Sequence, residues 1–142
     1  MSPYEMCNHK LIEFITHNRC NLSNASMTDI DEKLFEFSHI EVLDLSENHL
    51  KALPASIKNL KNLKTLILSD NLFEAIPDFI GDLKYLESLY LSGNQLSTLP
   101  NTITKLKNIK WLSLAENENL VLSNAQMKWI NSLKSNGSTV II

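Results

Sequence analysis

The chain has 142 residues, 44% of them apolar, and a formal net charge of −3, which suits one domain with a continuous core. The net charge, and the absence of any run of five basic residues, argue against nucleic acid, whose binding rests on Lys and Arg neutralising phosphate. Cys7 and Cys20 are too few for a disulfide framework, no stretch reaches the ~20 apolar residues of a membrane span, and Met1 to Lys10 carry no signal-peptide pattern.

The first expected element is a helix over about Pro3 to Thr16. Ser2 can cap it, Pro3 suits the first helical position, and Glu5 can close a capping box. Tyr4, Cys7, Leu11, Phe14 and Ile15 then share one helical face. Such a helix would cover the open end of a stack.

A stack is expected because the middle of the chain repeats itself. Ile40, Leu63 and Leu86 begin three units 23 residues apart. In the first unit Leu43, Leu45, Asn48, Leu50, Leu53, Pro54, Ile57 and Leu60 follow. Leu66, Leu68, Asn71, Phe73, Ile76, Pro77, Ile80 and Leu83 match them in the second. Leu89, Leu91, Asn94, Leu96, Leu99, Pro100, Ile103 and Leu106 match them in the third. A fixed period in this range marks stacked supersecondary units that bury a core only against their neighbours. Leu43 and Leu45 point inward and Asp44 outward, by the alternation of a strand. Adjacent units supply adjacent strands, so the sheet is parallel. Ile57 and Leu60 are spaced for one inward-facing helical turn.

The same spacing predicts a degenerate unit upstream, with Cys20, Leu22, Met27, Ile30, Leu34 and Phe37 in core slots. Ala25 replaces the asparagine and Asp31 replaces the proline. A strand is expected around Asn18 to Leu22, with Cys20 a buried, inert thiol. Downstream, Ile109, Leu112, Leu114 and Asn117 open a further unit, which then departs. Asn119 takes an apolar slot, Leu120 comes one place late, and Ser123 replaces proline. Ser123-Asn124-Ala125-Gln126 is a capping box for a helix over about Asn124 to Lys134, ended by Asn136-Gly137. Trp129 is expected to pack in this lid. Ser138 to Ile142 reads as a last strand.

These motifs resemble the leucine-rich repeat family, in its intracellular class with an LPxxIxxL back half. The resemblance implies an α/β solenoid: a right-handed curved stack with a parallel concave sheet of five to six strands. It also implies a short helical or irregular convex side, with helical caps at both ends. The expected division is 1–17 for the N-terminal cap, 18–39 for the degenerate repeat, 40–62, 63–85 and 86–108 for regular repeats, and 109–142 for the last repeat and C-terminal cap. The two lids suggest a nearly complete domain, although the apolar ending would also fit a cut from a longer protein. In the family, the asparagine side chain lies inside and bonds the backbone of its own and the neighbouring turn. Extracellular members usually carry Cys-rich caps, which this chain lacks, so a cytoplasmic location is expected.

Chemistry is sparse. His9, His17, His39 and His49 lack metal-ligand spacing, no Gly-rich phosphate loop exists, and no serine sits in a nucleophile elbow. No enzyme activity, cofactor or metal is expected. The Asn-x-Ser triplets at Asn21, Asn24 and Asn136 read as chance, and Phe35, Phe73 and Phe79 as back-face packing.

The outward strand positions are the remaining candidate. The slot before the first strand leucine holds Arg19, Val42, Thr65, Ser88 and Trp111. The slot between the leucines holds Asn21, Asp44, Ile67, Tyr90 and Ser113. The slot before the asparagine holds Asn24, Glu47, Asp70, Gly93 and Glu116. Val42, Ile67, Tyr90 and Trp111 are large and apolar where a solvated sheet would be polar, and Asp44, Glu47, Asp70 and Glu116 make an acidic rim. Aromatic anchors within a polar rim are the anatomy of a protein-binding patch. A monomer that holds a protein or peptide partner there is expected. The resemblance admits small GTPases, phosphatases or other signalling proteins as partners, with the chain as a signalling adaptor or scaffold. A bacterial effector aimed at a host protein, the recognition arm of a larger enzyme such as a ubiquitin ligase, and a plain spacer are the other readings.

Overall fold

Each repeat gives the sheet only three residues. The computed structural model describes residues 18–142, so the expected Pro3–Thr16 helix lies outside the described residues. Among the described residues six strands follow one another in sheet order: β1 (Arg19–Asn21), β2 (Val42–Asp44), β3 (Thr65–Ile67), β4 (Ser88–Tyr90), β5 (Trp111–Ser113) and β6 (Thr139–Ile141). All pairs are parallel, and the middle residues Cys20, Leu43, Leu66, Leu89, Leu112 and Val140 stand side by side. The first five are buried against the core and Val140 is half-buried.

Among the described residues four 3-10 helices form the back: η1 (Glu32–Glu36), η2 (Ala55–Asn59), η3 (Asp78–Asp82) and η4 (Asn101–Lys105). Pro54, Pro77 and Pro100 cap the last three with extended backbone. Proline suits this place because its missing N–H is not needed and its φ is already fixed. Asp31 replaces it at η1 by another means: its side chain accepts from the Lys33 N–H at 3.0 Å. Between η3 and η4 the backbones meet closely. A Cβ on Gly81 would lie 2.5 Å from the Thr102 carbonyl oxygen, so no other residue fits without moving one helix.

Each regular repeat sends seven apolar side chains inward, from Ile40 to Leu60 in the first, all at most 6% exposed. Burial of each contributes roughly 1.5–3 kcal/mol. In the degenerate repeat Cys20, Leu22, Met27, Ile30 and Leu34 are buried as expected. Phe37 is only half-buried, while Phe35 is enclosed in the core. In the last unit Asn119 is exposed, and Leu120 packs against the core in its stead.

Helix α1 (Asn124–Ser135) closes the C-terminal end, one residue longer than the sequence predicts. Its capping box is formed: Ser123 accepts from the Gln126 N–H, and Gln126 accepts from the Ser123 N–H. Gln126 also donates to the Leu99 carbonyl at 2.7 Å, and the Trp129 indole donates to the Leu106 carbonyl at 2.9 Å. Both bonds pin the lid to the preceding repeat.

Candidate functional site

The turns after the strands are fixed by asparagine. Asn71 accepts from the Leu50 N–H at 3.0 Å and donates to the carbonyls of Leu45 and Leu68 at 2.9 and 3.1 Å. Asn94 and Asn117 repeat the arrangement one and two units on. Asn48 accepts from the N–H groups of Ala25 and Met27. The degenerate repeat, which has alanine in this slot, is therefore still tied to its neighbour.

The residue before each turn asparagine is left-handed, with φ 54° at Glu47, 57° at Asp70, 66° at Gly93 and 59° at Glu116, and so is Asn24, before Ala25 in the same slot, at 52°. Glycine adopts this conformation freely and Asn and Asp adopt it as single residues, whereas glutamate does so at a cost of roughly 1–2 kcal/mol. Gly93 leaves room for the Asp70 carboxylate, which a Cβ there would strike. Glu47, Asp70 and Glu116 are exposed along the trailing edge of the strands.

The register fixes the outward face. Arg19, Val42, Thr65, Ser88 and Trp111 form one row, continued by Thr139, and Asn21, Asp44, Ile67, Tyr90 and Ser113 form the other, continued by Ile141. Arg19 is exposed, and Val42, Asp44, Thr65, Ile67, Ser88, Tyr90 and Trp111 are half-buried. Ile67 and Tyr90 are direct cross-strand partners. Val42 with Ile67 and Tyr90 with Trp111 are diagonal pairs, still within reach of large side chains. The Tyr90 and Trp111 rings stack, with centroids 6.1 Å apart and planes inclined by 28°. Among the described residues, the Trp111 indole nitrogen is enclosed without a hydrogen-bond partner.

Two expected contact residues play local roles. The Asp44 carboxylate accepts from the Ser46 N–H and hydroxyl at 3.0 and 2.6 Å. Ser113, expected to face a partner, is instead buried, a small side chain placed between Tyr90 and Ile141 in the register. Two features escape the sequence reading. Ser46, Ser69 and Ser92 add a polar row at the trailing edge, where the last two hydroxyls lie 3.1 Å apart. Ile141, 42% exposed, extends the apolar surface. The serines recur with the period and were legible in principle. Ile141 lies 28 residues after Ser113, off the period, so its register could not be counted.

A family model described as a leucine-rich repeat region matches residues 24–139. The chain belongs to the leucine-rich repeat family. Among solved structures, it is similar to a leucine-rich repeat protein of Leptospira interrogans at 35% identity and a TM-score of 0.68, over 81% of this chain and 28% of that one. It is similar to the ectodomain of the receptor kinase SOBIR1 from Arabidopsis thaliana at 28% identity and a TM-score of 0.66, over 85% of this chain and 66% of that one. It is also similar to the ectodomain of GASSHO1/SCHENGEN3 from the same plant, in complex with CASPARIAN STRIP INTEGRITY FACTOR 2. There the identity is 27% and the TM-score 0.68, over 87% of this chain and 15% of that one. The chain thus spans less than two thirds of the length of each. No curated protein matches it. Domains of this family generally mediate protein–protein interaction and are typically non-catalytic. Among the described residues no group of His, Cys, Asp and Glu could hold a metal ion, and no helix is long and apolar enough to cross a membrane.

Proposed function

We propose that the chain is a non-enzymatic module that holds a protein or peptide partner on the outward, concave face of its sheet. The observation that carries this reading is the Tyr90–Trp111 stack, continuous with Ile67 and Val42 on a face where solvation alone calls for polar residues. These four side chains are half-buried, and contiguous apolar surface left in part to solvent tends to mark interaction sites. The acidic rim supports the same reading. Glu47 and Glu116 occupy left-handed positions where glycine would be less strained, and strain of this kind clusters at functional sites. The rim favours a partner with basic groups. The GASSHO1/SCHENGEN3 ectodomain, similar in fold, is solved with a partner, which agrees with a binding role. Six strands spaced ~4.8 Å apart span about 24 Å, so the interface is small and the affinity modest. A monomeric signalling adaptor or scaffold of the cytoplasm, with a small GTPase, a phosphatase or another signalling protein as partner, is the specific form of the proposal.

The test is affinity capture with the wild type beside a Tyr90→Ser/Trp111→Ser double variant. Partners held by the wild type and lost from the folded variant define the site. Identical partner sets for the two proteins would sink the assignment of the sheet face.

A further inference from the structure

We propose a second docking surface on the leading edge of the strands, built to take an acidic peptide segment that carries an apolar side chain. It is independent of the sheet-face reading. No run of basic residues exists in the sequence, but the fold makes a column of them. Lys61, Lys84 and Lys107 lie 23 residues apart, occupy one slot between the 3-10 helices and the strands, and are all exposed. Lys58 and Lys105, also exposed, flank them. Among the described residues none of these five forms an ion pair, while Asp82 is the carboxylate among them.

The neighbouring slot shows that the column is not a requirement of the fold. Three residues further along, Glu41, Lys64, Glu87 and Lys110 alternate in sign, and Glu41–Lys64 and Glu87–Lys110 pair at 3.5 and 3.3 Å. Stacked like charges are unfavourable to the folded chain and alternating ones are favourable. The edge thus neutralises itself in one column and keeps a single sign in the next. A ligand of opposite sign relieves that repulsion.

An apolar anchor stands at the middle of the column. Tyr85 is 65% exposed beside Lys84, and its slot holds asparagine in the units before and after, at Asn62 and Asn108. The asparagines bond back to the stack, through the carbonyls of Ser38 and Lys84, whereas Tyr85 faces open solvent. Lys58, Lys61, Lys84 and Tyr85 line a hollow of about 140 Å³, and a second hollow beside it is lined by Lys84, Lys105 and Lys107. An exposed aromatic ring between lysines matches a segment of mixed acidic and apolar side chains. Asp82 within the patch and Glu41 and Glu87 beside it disfavour a uniform polyanion such as nucleic acid.

The test uses fluorescence anisotropy of the whole chain with a labelled peptide of glutamates around a single phenylalanine. Binding is expected to weaken as salt rises and to fall by about tenfold or more in Lys84→Glu/Lys107→Glu, a loss of about 1.4 kcal/mol. It should fall several-fold in Tyr85→Ser and stay unchanged in Tyr90→Ser/Trp111→Ser. Lys84→Gln/Lys107→Gln replaces the charge reversal if that variant fails to fold, with loss of binding again expected. Equal binding by wild type and the lysine variants, loss through the Tyr90/Trp111 variant alone, or no binding by the wild type would each overturn the proposal. So would tighter binding of a single-stranded DNA of equal charge.

Discussion

At the residue scale, one amide per turn does the work of several backbone partners. Asn71 is 4% exposed and engages groups of its own repeat and of the one before. Asn71→Ala leaves the Leu50 N–H unpaired in the interior, at about 1–3 kcal/mol if no water rescues it, while the Leu45 and Leu68 carbonyls each lose one of two donors and keep Asn48 and Asn94. Urea unfolding should show a loss of about 1–3 kcal/mol. Asn62→Ala breaks one exposed bond to the Ser38 carbonyl and should shift stability by less than about 0.5 kcal/mol. Equal effects in the two variants would contradict the account. The buried asparagines were legible because they recur in a fixed slot and their need is generic. The left-handed φ at Glu47 and Glu116 was not, because glutamate does not announce that conformation as glycine does. The burial of Ser113 escaped for another reason: alternation tells which face a residue lies on, but not how large its neighbours on that face are.

At the element scale, α1 is tied to the preceding repeat by the side chains of Gln126 and Trp129, beside the burial of Ile130 and Leu133 in the core. Gln126 closes the capping box and reaches the Leu99 carbonyl of the previous repeat, so its removal undoes a cap and an inter-repeat bond together. Ser123→Ala should cost about 1 kcal/mol, the usual value of a cap. Gln126→Ala should cost more, about 2–3 kcal/mol, since the Leu99 carbonyl is then left without its partner. Thermal or urea unfolding of the two variants decides the order, and a smaller loss in Gln126→Ala would be wrong for this picture. The existence of α1 and its capping box could be read from Ser123 to Gln126, and β6 from the β-branched run after Gly137. The second task of Gln126 could not, because a bond across 27 residues leaves no local trace. Asp31 shows the converse. Where the period loses its proline, a side-chain cap does the same job, and the 3-10 helix survives in the expected place.

At the scale of the whole molecule, the 23-residue offset between strand partners turns sequence columns into physical columns. The core, the turns and the rows of the sheet follow from counting. The lysine column at the leading edge follows too, but only when charges are compared between units instead of along the chain. Because each unit touches only its neighbours, stability is a sum of unit and interface terms, and opening can begin at an end. Two substitutions separate centre from end. Leu66→Ala empties a fully buried site in the middle of the sheet, with interfaces on both sides, and should cost about 2–5 kcal/mol. Trp129→Phe keeps most of the ring but removes the bond to the Leu106 carbonyl, at about 1–3 kcal/mol. Hydrogen exchange followed residue by residue should show loss of protection in β5, α1 and β6 for Trp129→Phe, with β2 and β3 as well protected as in the wild type. For Leu66→Ala, protection should fall in the central strands as well. Uniform loss across all strands in the Trp129→Phe variant would mean that the stack opens as one cooperative block, and that the nearest-neighbour account of its stability is wrong.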